Sequence, residues 1–364
     1  MANIMDYLDW RGDLTPQQAG INDVDLLILS RLSYFPFDGV VPSLLDGGSV
    51  TVAEAASADF QKDFLLKEDR ALLHALAESR RFSGMRLTGY VNKIDLDEQE
   101  QFSAVTVLPG NGEIVVAYRG TDSTLVGWKE DFNMGYLTPV PAQREAVRYL
   151  VQMADREKGG IRLAGHSKGG NLAVYAAAFC PPDVRGRLLS VNNNDGPGFS
   201  SAVMEEPGYQ AVRSRIRTFV PQSSVVGMLL DHEEEYTVVH STQVGILQHD
   251  LYSWEVKRDD FIRLDTVSSS SRFADLTLKA WIAGMEREER EKFGDALYEI
   301  LSATNAETVT ELSASWFKSS VAIVQSLKNV DEPTKQLLYE LLGRLLKSAR
   351  ESLPQVLPKT RGKE

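Results

Sequence analysis

The chain has 364 residues, enough for one large or two medium domains, and 43% hydrophobic with 25% charged residues is the balance of a soluble globular protein. A formal net charge of -12 argues against a nucleic-acid partner, whose phosphates would be repelled. The only cysteine, Cys180, excludes an intramolecular disulfide framework and reads as a small packed hydrophobe.

The start, MANIMDYLDWRGDLTPQQ, is acidic and lacks a basic segment followed by an apolar run, so it does not read as a signal peptide. No stretch approaches the roughly 20 apolar residues of a membrane span. A cytoplasmic protein of bacterial character is expected. Asp23 to Phe37 has an amphipathic helical pattern closed by Pro36. Asp63 to Ser79 repeats apolar residues at helical spacing, with Leu72, Leu73, Leu76 and Ala77 on one side and a structural His74 among them.

Ala104 to Gly120 reads as a hairpin of two β-rich stretches joined by a Pro-Gly-Asn-Gly turn. Pro141 to Glu157 is helical, with proline at its tolerant first position. GIRLAG is a short buried strand, Asn171 to Phe179 a helix, GRLLSVNNNDGPG a strand ending in a polar loop, and Arg215 to Pro221 one more strand. Alternating strands and helices predict an α/β architecture, a mostly parallel sheet covered on both faces. Beyond about residue 266 the β signal stops. A serine run forms a polar break, followed by helical patterns near Leu276 to Leu301, Ala306 to Leu327 and Glu332 to Leu353, and a frayed proline-containing tail. This divides the chain into 1–265 and a C-terminal helical region, 266–364, that would cap a pocket, bind a partner or join two copies.

Gly165-His166-Ser167-Lys168-Gly169 fits G-x-S-x-G, with a strand before it and a helix after it. A serine on such a sharp turn adopts a strained backbone that lifts its hydroxyl clear of the sheet, and side chains two residues either side would collide. The following helix N-terminus favours the negative charge of a tetrahedral intermediate. Ser167 is the candidate nucleophile; a glycine-rich structural turn is the alternative. A base is expected later in the chain, in the order serine, acid, histidine. Of His232, His240 and His249, the last lies beyond a glycine in a loop suited to the catalytic edge. His240 falls in a strand-like alternation, and His232 in the acidic DHEEE.

Asp195 ends the strand after the nucleophile helix and is the candidate acid, with Asp231 its rival; Asp250 adjoins the histidine and would point away. The oxyanion hole is expected from the Lys168 amide and from Thr121, in the loop after Ile114 to Tyr118. Arg119 reads as an ion-paired scaffold residue. The histidines lack metal-ligand spacing, and no cofactor motif is present.

VVAYRGTDS, GWKEDFN and LAGHSKGGNLA together resemble the class 3 (fungal-type) lipases. More closely, YLDWRGDL, NDGPGF, VPQSSVVGMLL and QHDLYSW resemble an uncharacterised bacterial family of lipase-like α/β-hydrolases, over roughly residues 4 to 260. The resemblance implies an α/β-hydrolase fold and ester hydrolysis, with Ser167 as nucleophile and Thr121 in the oxyanion hole. It departs at Lys168, where class 3 lipases usually carry leucine. It departs again at VPQSSVVG, where their acid would stand and no carboxylate does, which moves that role to Asp195. The expected activity is cleavage of an acyl or lipid-like ester; a thioesterase, a peptidase or a non-catalytic binding protein of the same fold are the alternatives. Ser223 to Tyr236 is expected to be a short lid or a core-packing connection.

Overall fold

A computed structural model describes residues 1–302, apart from 96, 98–99, 123–129, 131–133 and 135–137, and residues 331–356. Among these, nine strands form one sheet: β1 (Val50–Thr51), β2 (Arg86–Asp95), β3 (Glu100–Leu108), β4 (Glu113–Tyr118), β5 (Gly160–His166), β6 (Leu188–Asn194), β7 (Ile216–Pro221), β8 (Tyr236–Val239) and β11 (Arg263–Leu264). The order across the sheet follows the chain from β1 to β8, with β11 outside β8. β9 (Val256–Lys257) and β10 (Asp260–Phe261) make a separate small pair. Pairing is parallel from β4 through β8 and antiparallel at both margins. The parallel stretch therefore puts the carboxyl ends of β4, β5, β6 and β7 on one edge, where ligands bind in open α/β sheets.

β4 shows why both faces must be covered. Val115 and Ala117 enter one core, while Ile114, Val116 and Tyr118 enter the other, so the strand is apolar without alternation. The first core is closed by α1 (Ile4–Arg11), α2 (Asp23–Leu32) and α3 (Lys67–Glu78). α2 begins in a reciprocal cap, with Asn22 Oδ1 accepting from the Asp25 amide and Asp25 Oδ2 from the Asn22 amide. From Val24 to Leu32 every residue is buried, so this helix lies inside the molecule rather than along its surface. The charged members of that buried run are paired: Asp25 with Arg81, and Arg31 with Asp69.

The second core lies under α4 (Pro141–Arg156) and α5 (Lys168–Phe179). Cys180 packs there, where burial pushes its thiol up to about 11. β2 carries no clear alternation and was not singled out by the sequence.

After β11 the described residues are helical: α6 (Ser269–Ala283), α7 (Arg287–Ser302) and α8 (Glu332–Val356). The serine run opens α6 instead of breaking the chain, because Ser268 Oγ caps it by accepting from the Ser271 amide at 3.1 Å. The pattern over Leu276 to Leu301 divides at Gly284. Ala306 to Leu327 and the last residues of the tail, 357–364, fall outside the described residues. Trp281 Nε1 donates to the Leu341 carbonyl, joining α6 to α8. Among the described residues no helix is long and apolar enough to cross a membrane.

Candidate active site

Ser167 stands between β5 and α5 with φ 59° and ψ -135°, a conformation that L-residues rarely adopt. Packing enforces it. A Cβ on Gly165 would lie 2.0 Å from the Gly169 carbonyl oxygen, and a Cβ on Gly169 would lie 2.2 Å from the Tyr118 carbonyl oxygen. Both contacts are with backbone, so nothing can move aside cheaply. Gly165→Ala is expected to cost about 3 kcal/mol, at the upper end of overpacking penalties. An unchanged midpoint in urea denaturation would count against that reading of the turn.

The turn is held from below by the neighbouring strand. The Ser167 amide donates to the Asn194 carbonyl at 2.9 Å, and Asn194 Nδ2 donates to the Gly165 carbonyl. The residue after Asn194 is Asp195, itself at φ 53° and 1% exposed. Asn193 Oδ1 accepts from the Gly196 amide and closes this second turn. Asp195 Oδ2 is 2.6 Å from His249 Nδ1, and its Oδ1 accepts from Ser224 Oγ at 2.5 Å and from the Gly227 amide at 3.2 Å.

Ser224 and Gly227 belong to VPQSSVVG, the stretch without a carboxylate. It sends hydrogen-bond donors to Asp195 in place of an acid of its own. Ser223 to Tyr236 is thus a connection around a short turn, Val226–Met228, with Ser224, Gly227 and Met228 buried. α6 grips it from outside through Ser271 Oγ, which donates to the Ser224 carbonyl.

The other candidates go elsewhere. His232 faces Glu234, His240 faces Glu255, and Asp231 pairs with Lys279. Asp250 accepts from the Tyr252 amide. Ser167, Asp195 and His249 share one sheet edge, although no hydrogen bond joins Ser167 Oγ to His249 in this arrangement. Catalytic hydrogen bonds often tighten only around a substrate.

Several supporting residues were missed by sequence reasoning. The His166 ring lies tilted at 33° against that of His249, with ring centroids 4.5 Å apart, and its Nε2–H donates to the His249 carbonyl at 2.8 Å. Burial, reinforced by the His249 ring, holds His166 far below the ordinary imidazole range and hence neutral. Tyr34 Oη accepts from the Gly120 amide at 3.1 Å and lies 3.2 Å from His166 Nδ1. This brings the Thr121 loop against the elbow: a Cβ on Gly120 would sit 2.9 Å from Ser167 Cβ. Arg119 contacts Asn92 and Asp122, an inward-facing scaffold residue.

His249 itself is fastened through its downstream neighbours. Tyr252 Oη donates to Asp69, which also takes both Arg31 hydrogen bonds, and Asn3 Nδ2 donates to the Tyr252 carbonyl. No local pattern announces these partners, because they lie far apart in the chain.

Lys168 explains its own departure from leucine. Its side chain is 1% exposed and turns away from the site, where Nζ donates to Gln101 O, Gln101 Oε1 and Glu130 Oε2 at 2.8–2.9 Å. Glu130 lies in GWKEDFN and accepts in addition from the Gln101 and Ala142 amides. The two sequence blocks are thus joined physically by one buried ion pair.

A solved structure, the crystal structure of M37 lipase, is 15% identical with a TM-score of 0.37, covering 57% of this chain and 70% of that one. No curated protein matches the chain significantly. The sequence pattern of the Mbeg1-like family matches residues 76–299, more than half of the chain. The chain belongs to this lipase-like family, the Mbeg1-like proteins.

Proposed function

We propose that the chain is a serine hydrolase that cleaves a carboxylic ester, of the acyl or lipid-like kind, through an acyl-enzyme. Ser167 Oγ attacks the ester carbonyl while His249 Nε2 takes its proton. The Lys168 amide and Thr121 receive the oxyanion. The same imidazolium then protonates the leaving alcohol, and water attacks the acyl-serine by the reverse route. The hydrolase part is residues 1–265, and the helical region 266–364 braces it through α6.

The observation that carries this reading is the 2.6 Å contact between His249 Nδ1 and Asp195 Oδ2 beside an elbow serine at φ 59°. With Nδ1–H held by the carboxylate, Nε2 carries the lone pair, which is the tautomer a general base needs. A fluorophosphonate probe tests for the activated serine. A panel of p-nitrophenyl esters of rising chain length, with a thioester and a peptide amide beside them, tests the substrate class. No labelling of the folded protein would overturn the reading, and faster cleavage of thioester or amide would move the substrate.

The acid role has its own test. Asp195→Asn is expected to leave the fold intact and lower kcat steeply, by about 10⁴ if it behaves as the equivalent change does in a serine protease. The amide would hold the ring in the wrong tautomer. Asp231→Asn should leave kcat unchanged, because that side chain is 65% exposed and paired with Lys279. Opposite behaviour of the two variants would exchange their roles.

A further inference from the structure

Beside the residues just assigned, the chain buries a second histidine–carboxylate pair that they do not use. His232 has a side chain 6% exposed, with Nδ1 3.0 Å from Glu234 Oε1 and Nε2 2.7 Å from the Gly227 carbonyl. Glu234 is anchored to regular structure. Its Oε1 accepts from Thr218 Oγ1 of β7 at 2.5 Å, and its Oε2 from Tyr209 Oη at 2.7 Å. Burial pushes the Glu234 carboxyl up, but the bonds from His232, Thr218 and Tyr209 outweigh it and hold it at about 2. It is a fixed carboxylate, and it fixes the plane of the His232 ring.

The residue at the other end of that ring is one whose backbone amide reaches the Asp195 carboxylate. The Gly227 amide lies 3.2 Å from Asp195 Oδ1 and 3.1 Å from Ser224 Oγ. A Cβ at Gly227 would lie 2.3 Å from that same Oδ1, so the turn has no slack for a side chain. The carbonyl that His232 holds and the amide that Asp195 accepts flank a single α-carbon. With that carbon packed against Asp195 Oδ1 and Val220, a bond that holds one peptide restrains the other.

We propose that His232 is a positioning residue for the reaction. Through Gly227 it aims the amide that, with Ser224 Oγ, fixes the Asp195 carboxylate against His249. The inference rests on the proposed triad and extends it by a relay, Glu234 to His232 to Gly227 to Asp195, built on the rigid β7. Its loss does not dismantle the turn, because the Gly198 amide still donates to the Leu229 carbonyl at 2.8 Å and Ser271 Oγ to the Ser224 carbonyl at 2.6 Å. What is lost is the direction of one donor.

The test is a double-mutant comparison on the full chain, read as kcat and KM for a p-nitrophenyl ester and as the rate of fluorophosphonate labelling. His232→Phe fills the space without a donor and is expected to lower kcat and labelling rate about tenfold at unchanged KM, the lower end of what losing a partner that orients a functional group costs. His232→Gln, which returns a donor to Gly227, should recover most of it. In an Asp195→Asn background His232→Phe should cost nothing further, since there is no carboxylate left to aim. Should the Phe variant not fold, His232→Asn replaces it: polar enough to remain beside Glu234 and too short to reach Gly227, it should show the same tenfold loss.

Wild-type kcat in the donor-less variant, or an undiminished loss in the Asp195→Asn background, overturns the inference and leaves the triad standing. A wild-type protein that is neither labelled nor active overturns the triad reading, and this inference with it.

Discussion

Ser167→Ala is expected to abolish fluorophosphonate labelling and to lower kcat by about five to six orders of magnitude, the size seen when a triad serine is removed elsewhere. The variant keeps the Cβ and the backbone hydrogen bond to Asn194, so the elbow has no reason to relax. The melting temperature should therefore match the parent. Substrate binding should survive too, because the Lys168 amide and the Thr121 loop are untouched, and KM should change far less than kcat. Residual turnover above the uncatalysed rate is expected from those donors alone. Labelling of the alanine variant at the wild-type rate would assign the nucleophile to another residue.

The largest effect on stability is expected at Lys168. Its ammonium and the Glu130 carboxylate are 1% and 0% exposed, and 2.8 Å apart. Lys168→Met removes the cation and leaves a carboxylate in the interior that, among the described residues, keeps hydrogen bonds from the Gln101 and Ala142 amides alone. Removing one partner of a buried pair typically costs 3–5 kcal/mol, roughly 10 °C in Tm for a protein of this size. Adding Glu130→Gln to Lys168→Met should recover most of that loss, since no uncompensated charge then remains. Thermal and urea denaturation of the three forms measure it. A Lys168→Met variant as stable as the parent would show that Glu130 finds other compensation, and a double variant no better than the single would assign the loss to packing.

The elements that were legible in the sequence are those whose physical cause is local. The elbow could be read because the constraint on Ser167 is steric and is written in Gly165 and Gly169. β5 and α5 could be read because a short apolar run and an alanine-rich stretch flank it. The hairpin of β3 and β4 announced itself through Pro109-Gly110-Asn111-Gly112, where both glycines sit at φ 85°. The amphipathic expectation for α2 met a helix buried from Val24 to Leu32, since the charged residues of that run are neutralised by Arg81 and Asp69, which are distant in sequence.

The same limit applies at the site. Distance along the chain hides the partners: Tyr34 and His166 are 132 residues apart, and Tyr252 and Asp69 are 183 apart. VPQSSVVG could be recognised as lacking an acid. That its serine and glycine turn towards Asp195 depends on β6 and β7 lying side by side, which no window of sequence contains.

The strand order described above bears on how the molecule comes to be made. From β1 to β8 each strand pairs with the one before it, so every pairing closes a comparatively short stretch of chain and carries a modest entropic cost. A nascent chain can build this sheet in the order of its synthesis. The proposed site cannot follow the same schedule, because His249 is held in place through Tyr252, which closes on Asp69 and on Asn3, the latter 249 residues away. β1 to β8 precede this segment in the chain, so the proposed site is complete only once the late segment has closed on Asp69 and Asn3.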